Sequence, residues 1–188
     1  AQPGIQTQMT VPIVLGKQEV AAVYRAAAGR GWVVPTFCAE NQTTVEAVFA
    51  ACQAKAVELA TRVPVTIAMT GRYAHRAQAV HYAGSRNPET GMELFLGDCE
   101  VLARPGGDYP AVDVLTHFDH GQYDVDAAVL DGDLSRFSSV MYDASAAPWA
   151  DNLAMTADFV ARHGEDVLVE GAADEIVDAG GTMHGELT

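Results

Sequence analysis

The sequence predicts an α/β fold built on a parallel sheet, carried as one domain over residues 1–188. Three observations carry this. Short, continuous apolar runs rich in β-branched residues alternate with helical patterns, the signature of strands buried on both faces and joined by crossover helices. Polar residues collect just after four of these runs, at Glu40-Asn41, Thr70-Gly71, Asp119-His120 and Asp143-Ser145. Doubly wound sheets and closed barrels both bind ligands at that edge. Finally, 188 residues of which 49% are hydrophobic suffice for one sizeable core, and there is no internal repeat, low-complexity tract or linker to divide it.

The elements follow in order. "KQEVAAVYRAAAGRG" places Val20, Val23, Tyr24 and Ala27 on one helical face and ends at Gly29 and Gly31. "WVVPTFCAEN" reads as a short buried strand. "TTVEAVFAACQAKAVELATR" is the clearest helix, capped by Thr43 or Thr44, with Val45, Val48, Phe49, Cys52, Ala56 and Leu59 as its apolar stripe. "VPVTIAMTG" is a strand. Turn signals at Gly84, Asn87-Pro88 and Gly91 precede a helix over "MELFLGDCEVLAR" and a loop around Pro105 to Pro110. Strand "VDVLTHFD", an amphipathic segment "YDVDAAVLDGDLSRF", strand "SSVMYDAS", helix "APWADNLAMTADFVARHG" with Pro148 near its first turn, and strand "DVLVEGAAD" complete the alternation. The tail "EIVDAGGTMHGELT" reads as a loop.

Composition narrows the function. A formal net charge of −14 and a pI near 4.6 disfavour nucleic acid or an anionic membrane as partner, since both need a basic face. A phosphorylated substrate stays open, because local donors can outweigh the global field. Three cysteines with no Cys-x-x-Cys point to free thiols in a reducing, cytoplasmic setting. The first residues carry no basic stretch followed by an apolar one, so no secretory signal is expected, and no apolar run reaches the ~18 residues of a membrane span. No Gly-x-Gly-x-x-Gly follows the first strand, which argues against a dinucleotide site.

Within "LTHFDHG", Asp119 and His120 project to opposite sides if the pleat continues, yet both reach one pocket if the chain turns there. An imidazole suits Zn²⁺ and a neighbouring carboxylate can move a proton. The plainer reading is an Asp capping a helix beside a solvated His. Asp143 and Ser145 stand at another strand end, as a second carboxylate facing the same pocket or as the N-cap of the next helix. Glu170 lies inside an apolar strand, where a buried carboxylate needs a partner. Cys38 ends the first strand and reads as a buried, inert thiol. His75, His81 and His163 read as surface residues.

Taken together, "VVPTFCAEN", "TTVEAVFAAC", "VPVTIAMTG", "LTHFDHG", "SSVMYDASAAPWADNLAMT" and "VLVEGAAD" resemble, in order and spacing, the class II, metal-dependent fructose-bisphosphate aldolase family. The resemblance runs from about Gly31 through nearly the whole chain. It implies a TIM (β/α)8 barrel of which this chain carries the first five βα units. It also implies Zn²⁺ or another divalent cation, and reversible aldol cleavage of a ketose phosphate or related sugar. Asp119 would be the general acid/base and His120 a zinc ligand. Asp143 and Ser145 would sit beside metal and substrate, Thr70 would take the place of a substrate-contacting serine, and Asn41 would join them from its strand end. His184, in a Gly-x-x-His-Gly pattern, is a candidate second ligand.

Three departures qualify the resemblance. Cys38 stands where the family usually has asparagine, Ala172 where it has a glutamate, and Thr188 falls about where a sixth unit should begin. Five units cannot close an eight-stranded barrel, so a homo-oligomer, a complementing chain or further sequence is expected to cover the open sheet. A catalytically silent homologue that binds a partner is the competing reading.

Overall fold

The computed structural model describes residues 13–173. A first helix, α1 (Lys17–Gly29), precedes strand β1 (Thr36–Cys38) and helix α2 (Gln42–Leu59). Next come β2 (Val63–Thr70), the short α3 (Gln78–Tyr82), α4 (Pro88–Ala103) and β3 (Val112–Gln122). The one-turn α5 (Ala127–Leu130), β4 (Ser139–Asp143), α6 (Trp149–His163) and β5 (Leu168–Gly171) complete the order. All five strands are parallel, and they lie across the sheet as β1-β2-β3-β4-β5. Every predicted strand is present, and the strand C-termini share one edge.

Sequential order with crossovers of one hand puts the connecting helices on a single face of the sheet. The core lies there. Val65, Ile67, Met69, Val114, Phe118 and Val140 from the strands pack with Val45 and Phe49 of α2, Phe95, Leu96 and Cys99 of α4, and Phe159 of α6. The other face is concave. It forms a cavity of about 410 Å³ whose lining includes Thr36, Thr66, His117, Asp119, Ser139 and Glu170. Tyr24 of α1 also lines it. The start of α1 is tied to the segment before β5 by the Lys17 amide, which donates to the Asp166 carbonyl at 3.1 Å. The helix therefore closes the trough from the N-terminal end of the strands.

Local chemistry corrects several predicted boundaries. Neither Thr43 nor Thr44 caps α2. Asn41 does, in extended backbone, its Oδ1 accepting from the Thr44 amide at 2.9 Å and from the Thr44 hydroxyl at 3.1 Å. Helix α4 starts four residues before Met92. Asn87 caps it by accepting from the Thr90 amide at 2.7 Å, and Pro88 occupies its first turn. Helix α3 precedes the turn at Gly84, in a stretch for which the sequence names no element. It packs so closely on α4 that a Cβ on Gly91 would meet the Ala79 carbonyl oxygen at 1.9 Å. Asp143 and Ser145 do not cap α6, whose N-cap position is Pro148.

The first strand is not buried. Thr36 and Phe37 are exposed, because β1 pairs only with β2 among the described residues. Beside it runs an apolar groove of about 630 Å³, lined by Trp32, Val33, Phe37, Val48 and Leu59 among others. Val33 is 88% exposed. At the opposite end, β5 pairs among the described residues only with β4, and α6 leaves Trp149, Leu153 and Val160 exposed. Glu170, predicted to be a buried carboxylate, is exposed on this edge strand.

Candidate functional site

The pairing of β3 with β4 slips between Phe118 and Gly121. Phe118 faces Val140 and Gly121 faces Tyr142, so two residues of β3, Asp119 and His120, oppose the single Met141. This is a β-bulge. His120 adopts φ 46°, the left-handed region unusual for a side chain other than glycine, asparagine or aspartate. The bulge breaks the alternation that would have sent neighbouring side chains to opposite faces. Asp119 lines the concave cavity, and His120 reaches Asp143, which shares a face with Ser139 and Met141 by the pleat of β4. Gly121 is needed where the chain re-enters the ladder, since a Cβ there would lie 2.9 Å from both Leu130 and Phe118 side-chain atoms.

Three contacts fix the His120 ring. Its Nδ1–H donates to Asp143 Oδ2 at 2.6 Å. Its face stacks on Tyr73 with centroids 4.4 Å apart and planes 6° from parallel. The backbone bulge sets its direction. Since a carboxylate only accepts, the proton sits on Nδ1 and the lone pair on Nε2 in the neutral ring. The hydrogen bond to Asp143, opposed by partial burial, raises the imidazole's pKa above its ordinary value. Asp143 is the hub. Its Oδ2 also accepts from Gln122 Nε2 at 2.7 Å, and its Oδ1 accepts from the Ser145 amide at 2.9 Å and hydroxyl at 2.6 Å. Burial works against the charged carboxyl, but these donors together hold its pKa below the usual aspartate value.

Asp119 faces two further groups. Cys38 Sγ lies 3.8 Å from its Oδ2, and His117 Nε2 lies 3.8 Å from its Oδ1. The thiol is half-buried rather than buried. Burial first, and the Asp119 charge second, push its pKa up, so it stands as a neutral donor. His117 shares the concave face by simple alternation and has Ser139 Oγ 2.8 Å from its Nδ1. Thr66 adds a buried hydroxyl with no partner among the described residues to the same cavity.

The rim is held by side chains that the sequence reading did not single out. Gln78 of α3 donates to the Ala39 carbonyl at 2.8 Å and accepts from the Thr70 amide at 3.1 Å, joining the ends of β1 and β2. Buried Asp126 accepts from the Arg72 amide at 3.0 Å and the Gln122 amide at 3.1 Å, tying the loop after β2 to the end of β3. One signal could have identified His117: it is in phase with Leu115 and Asp119 in a strand of period two. Gln78 and Asp126 carry no comparable mark.

Asn41, Thr70, Asp119, His120, Asp143 and Ser145 all lie at or just beyond the C-terminal strand ends. His120, Asp143 and Ser145 form one hydrogen-bonded group, and Asp119 stands beside it with Cys38 and His117 as its neighbours. The Thr70 hydroxyl is buried, donating to the Arg76 carbonyl and accepting from the Gln78 amide at 3.1 Å, which shapes the loop. Asn41 is exposed and engaged as a helix cap. His184 lies outside the described residues. Among the described residues, no three His, Cys, Asp or Glu side chains cluster closely enough to hold a metal ion.

Comparison with known proteins bears on the family and the fold. Residues 18–186 match the family model described as fructose-bisphosphate aldolase class-II. A fructose-bisphosphate aldolase from Treponema pallidum (strain Nichols) is 28% identical over 179 residues, which cover 90% of this chain and 48% of that protein. A crystal structure of fructose-bisphosphate aldolase from Campylobacter jejuni superposes with a TM-score of 0.66 at 20% identity, over 85% of this chain and 47% of that one. The five βα units thus reproduce part of an aldolase TIM barrel, and the chain spans about half the length of the relatives it matches. Because the family model covers most of its residues, this chain belongs to the class II fructose-bisphosphate aldolase family.

Proposed function

We propose that this chain carries the acid/base half of a metal-dependent aldolase site, acting on a ketose phosphate or a related sugar. The observation that supports this best is the bulge that turns Asp119 and His120 onto one face, with His120 Nδ1 bound to Asp143. Carboxylate–histidine pairs of this kind prepare Nε2 as a metal ligand. The donor set therefore fits one ligand of a Zn²⁺ or similar site. His184 is a second candidate, and further ligands come from outside the described residues. A divalent ion held there would act as a Lewis acid toward the substrate carbonyl.

The chain's own residues do the rest. The Asp119 carboxylate takes the proton from the hydroxyl beside the breaking carbon–carbon bond and returns it in the reverse direction. Asp143 and Ser145 orient His120 and present their outer edges to the substrate. Asn41 and Thr70 shape the rim. The exposed groove beside β1 and the free edge of β5 are covered by a second copy or a complementing chain, since open parallel edges with apolar flanks seek partners. Three free cysteines suit a reducing cytoplasm. No helix of the described residues is long and apolar enough to cross a membrane.

The competing reading is a silent homologue. It is favoured by the absence of a three-donor cluster among the described residues and by Ala172. Metal analysis with two variants separates the readings. His120→Ala should lose bound metal and cleavage together. Asp119→Ala should keep the metal while turnover falls ~100-fold or more. A parent chain that takes up no divalent cation at a pH where imidazole is neutral establishes the silent reading instead.

A further inference from the structure

We propose that His117 is a positioning residue for Asp119, holding its carboxylate through an Nε2–H group whose direction Ser139 fixes. This rests on the reading of Asp119 as the proton carrier. The geometry comes from two regularities of the sheet. His117 and Asp119 are two residues apart on β3, so their side chains share the concave face. His117 is also in register with Ser139 on β4, which puts the Ser139 hydroxyl beside its ring.

The tautomer then follows from what each neighbour can do. The carboxylate 3.8 Å from Nε2 can only accept, so its charge favours the neutral tautomer that carries the proton on Nε2. That leaves Nδ1 as an acceptor, and Ser139 Oγ at 2.8 Å supplies the O–H. The ring is buried, and desolvation lowers its pKa below the ordinary imidazole value, ahead of the opposing pull of Asp119, Glu170 and a backbone hydrogen bond at Ser139. A neutral donor at this point steadies the carboxylate without pairing it to a full charge, leaving it free to accept a proton. The gap of 3.8 Å is longer than a hydrogen bond, as catalytic contacts often are before substrate binds, and it must shorten in the filled site for His117 to hold Asp119. On the other oxygen, Cys38 Sγ stands at the same distance, so Asp119 is flanked by two neutral donors on the concave side.

Two measurements on the full chain test this. The first needs no activity. Nitrogen-15 spectra of ring-labelled protein at neutral pH should show His117 protonated at Nε2 and bare at Nδ1. Ser139→Ala should mix the two tautomers. His117→Leu should move the side-chain carboxyl carbon resonance of Asp119. A ring protonated at Nδ1, or an Asp119 resonance unmoved in His117→Leu, overturns the proposal. The second uses aldol cleavage. His117→Leu should lower kcat at least tenfold with KM held within about twofold, and His117→Gln, which restores an N–H donor, should recover most of the loss. Equal kcat in the parent and His117→Leu, or no recovery with Gln, overturns it. If the parent itself does not cleave, the reading of the site as an aldolase fails, and the spectra alone decide whether His117 holds Asp119.

Discussion

His117 and His120 stand three residues apart on one strand and titrate in opposite directions. The pKa of His120 lies above 6.5 because Asp143 binds its Nδ1–H, so folding favours the protonated ring. Its contribution to stability is complete below pH 6.5, the unfolded value, and is lost as the pH rises through the folded one. Asp143 lies below 3.8, so its contribution is present above that pH and is lost as the pH falls through its folded value. The pair stabilises most between these limits. His117 works the other way. Burial lowers its pKa below 6.5, so under more acidic conditions the unfolded chain binds the proton first and stability declines. Proton NMR titration should therefore give a midpoint above 6.5 for His120 and below 6.5 for His117. Asp143→Asn should bring the His120 midpoint down while leaving that of His117 nearly in place. A His120 midpoint that ignores this substitution would show that Asp143 is not its partner.

At the level of elements, helix α2 depends on its first residue. Asn41→Ala removes the acceptor for the Thr44 amide and should cost ~1 kcal/mol in urea unfolding, whereas Asn41→Asp should cost little. Phe49, fully buried where α2 meets the sheet, should cost about 3–5 kcal/mol when replaced by alanine. Gly91→Ala should destabilise as well, because the Ala79 carbonyl leaves no room for a Cβ and is backbone, which cannot simply rotate away. These cases also show what could be read without coordinates. The long apolar runs and most of the stripe of α2 are legible, because burial on a fixed period writes itself into composition, but Leu59 at its end is 42% exposed and lines the groove beside β1 instead. Caps and bulges are not. Asn41 precedes two threonines that satisfy the same capping rule, and only the backbone direction chooses among them. The bulge at Asp119-His120 leaves no mark in residue type, since an uninterrupted pleat would read identically. The burial of β1 was misjudged because an apolar run looks alike whether a neighbour covers it or not. Asp119, His120, Asp143 and Ser145 all follow from strand ends, but the hydrogen bond that joins His120 to Asp143 depends on register between strands.

For the molecule as a whole, β1 and β5 are the outer strands among the described residues, and each is flanked by exposed apolar side chains. The groove by β1 and the exposed face of α6 should draw copies of the chain together, or to a complementing one. Sedimentation should show species larger than a 19.9 kDa monomer. Replacing Val33 and Phe37 with lysine should shift the distribution toward monomer while leaving far-ultraviolet circular dichroism unchanged. A compact monomer for the parent would count against this reading. The order β1-β2-β3-β4-β5 has a further consequence, in time rather than in space. Each strand adds beside the one just made, so strand pairing never skips an element, and only the contact of α1 with the segment before β5, Lys17 to Asp166, waits for the last unit. Each closure still spans a whole crossover, so its entropic cost is that of a parallel pair, but no closure grows longer as the sheet extends. The β2–β3 pair, with eight residues in register, is the natural nucleus. Amide protection during refolding should appear there first and spread outward to β1 and β5. During synthesis the same order lets the sheet grow as the chain leaves the ribosome, one βα unit after another, with the growing edge always next to the residues about to emerge.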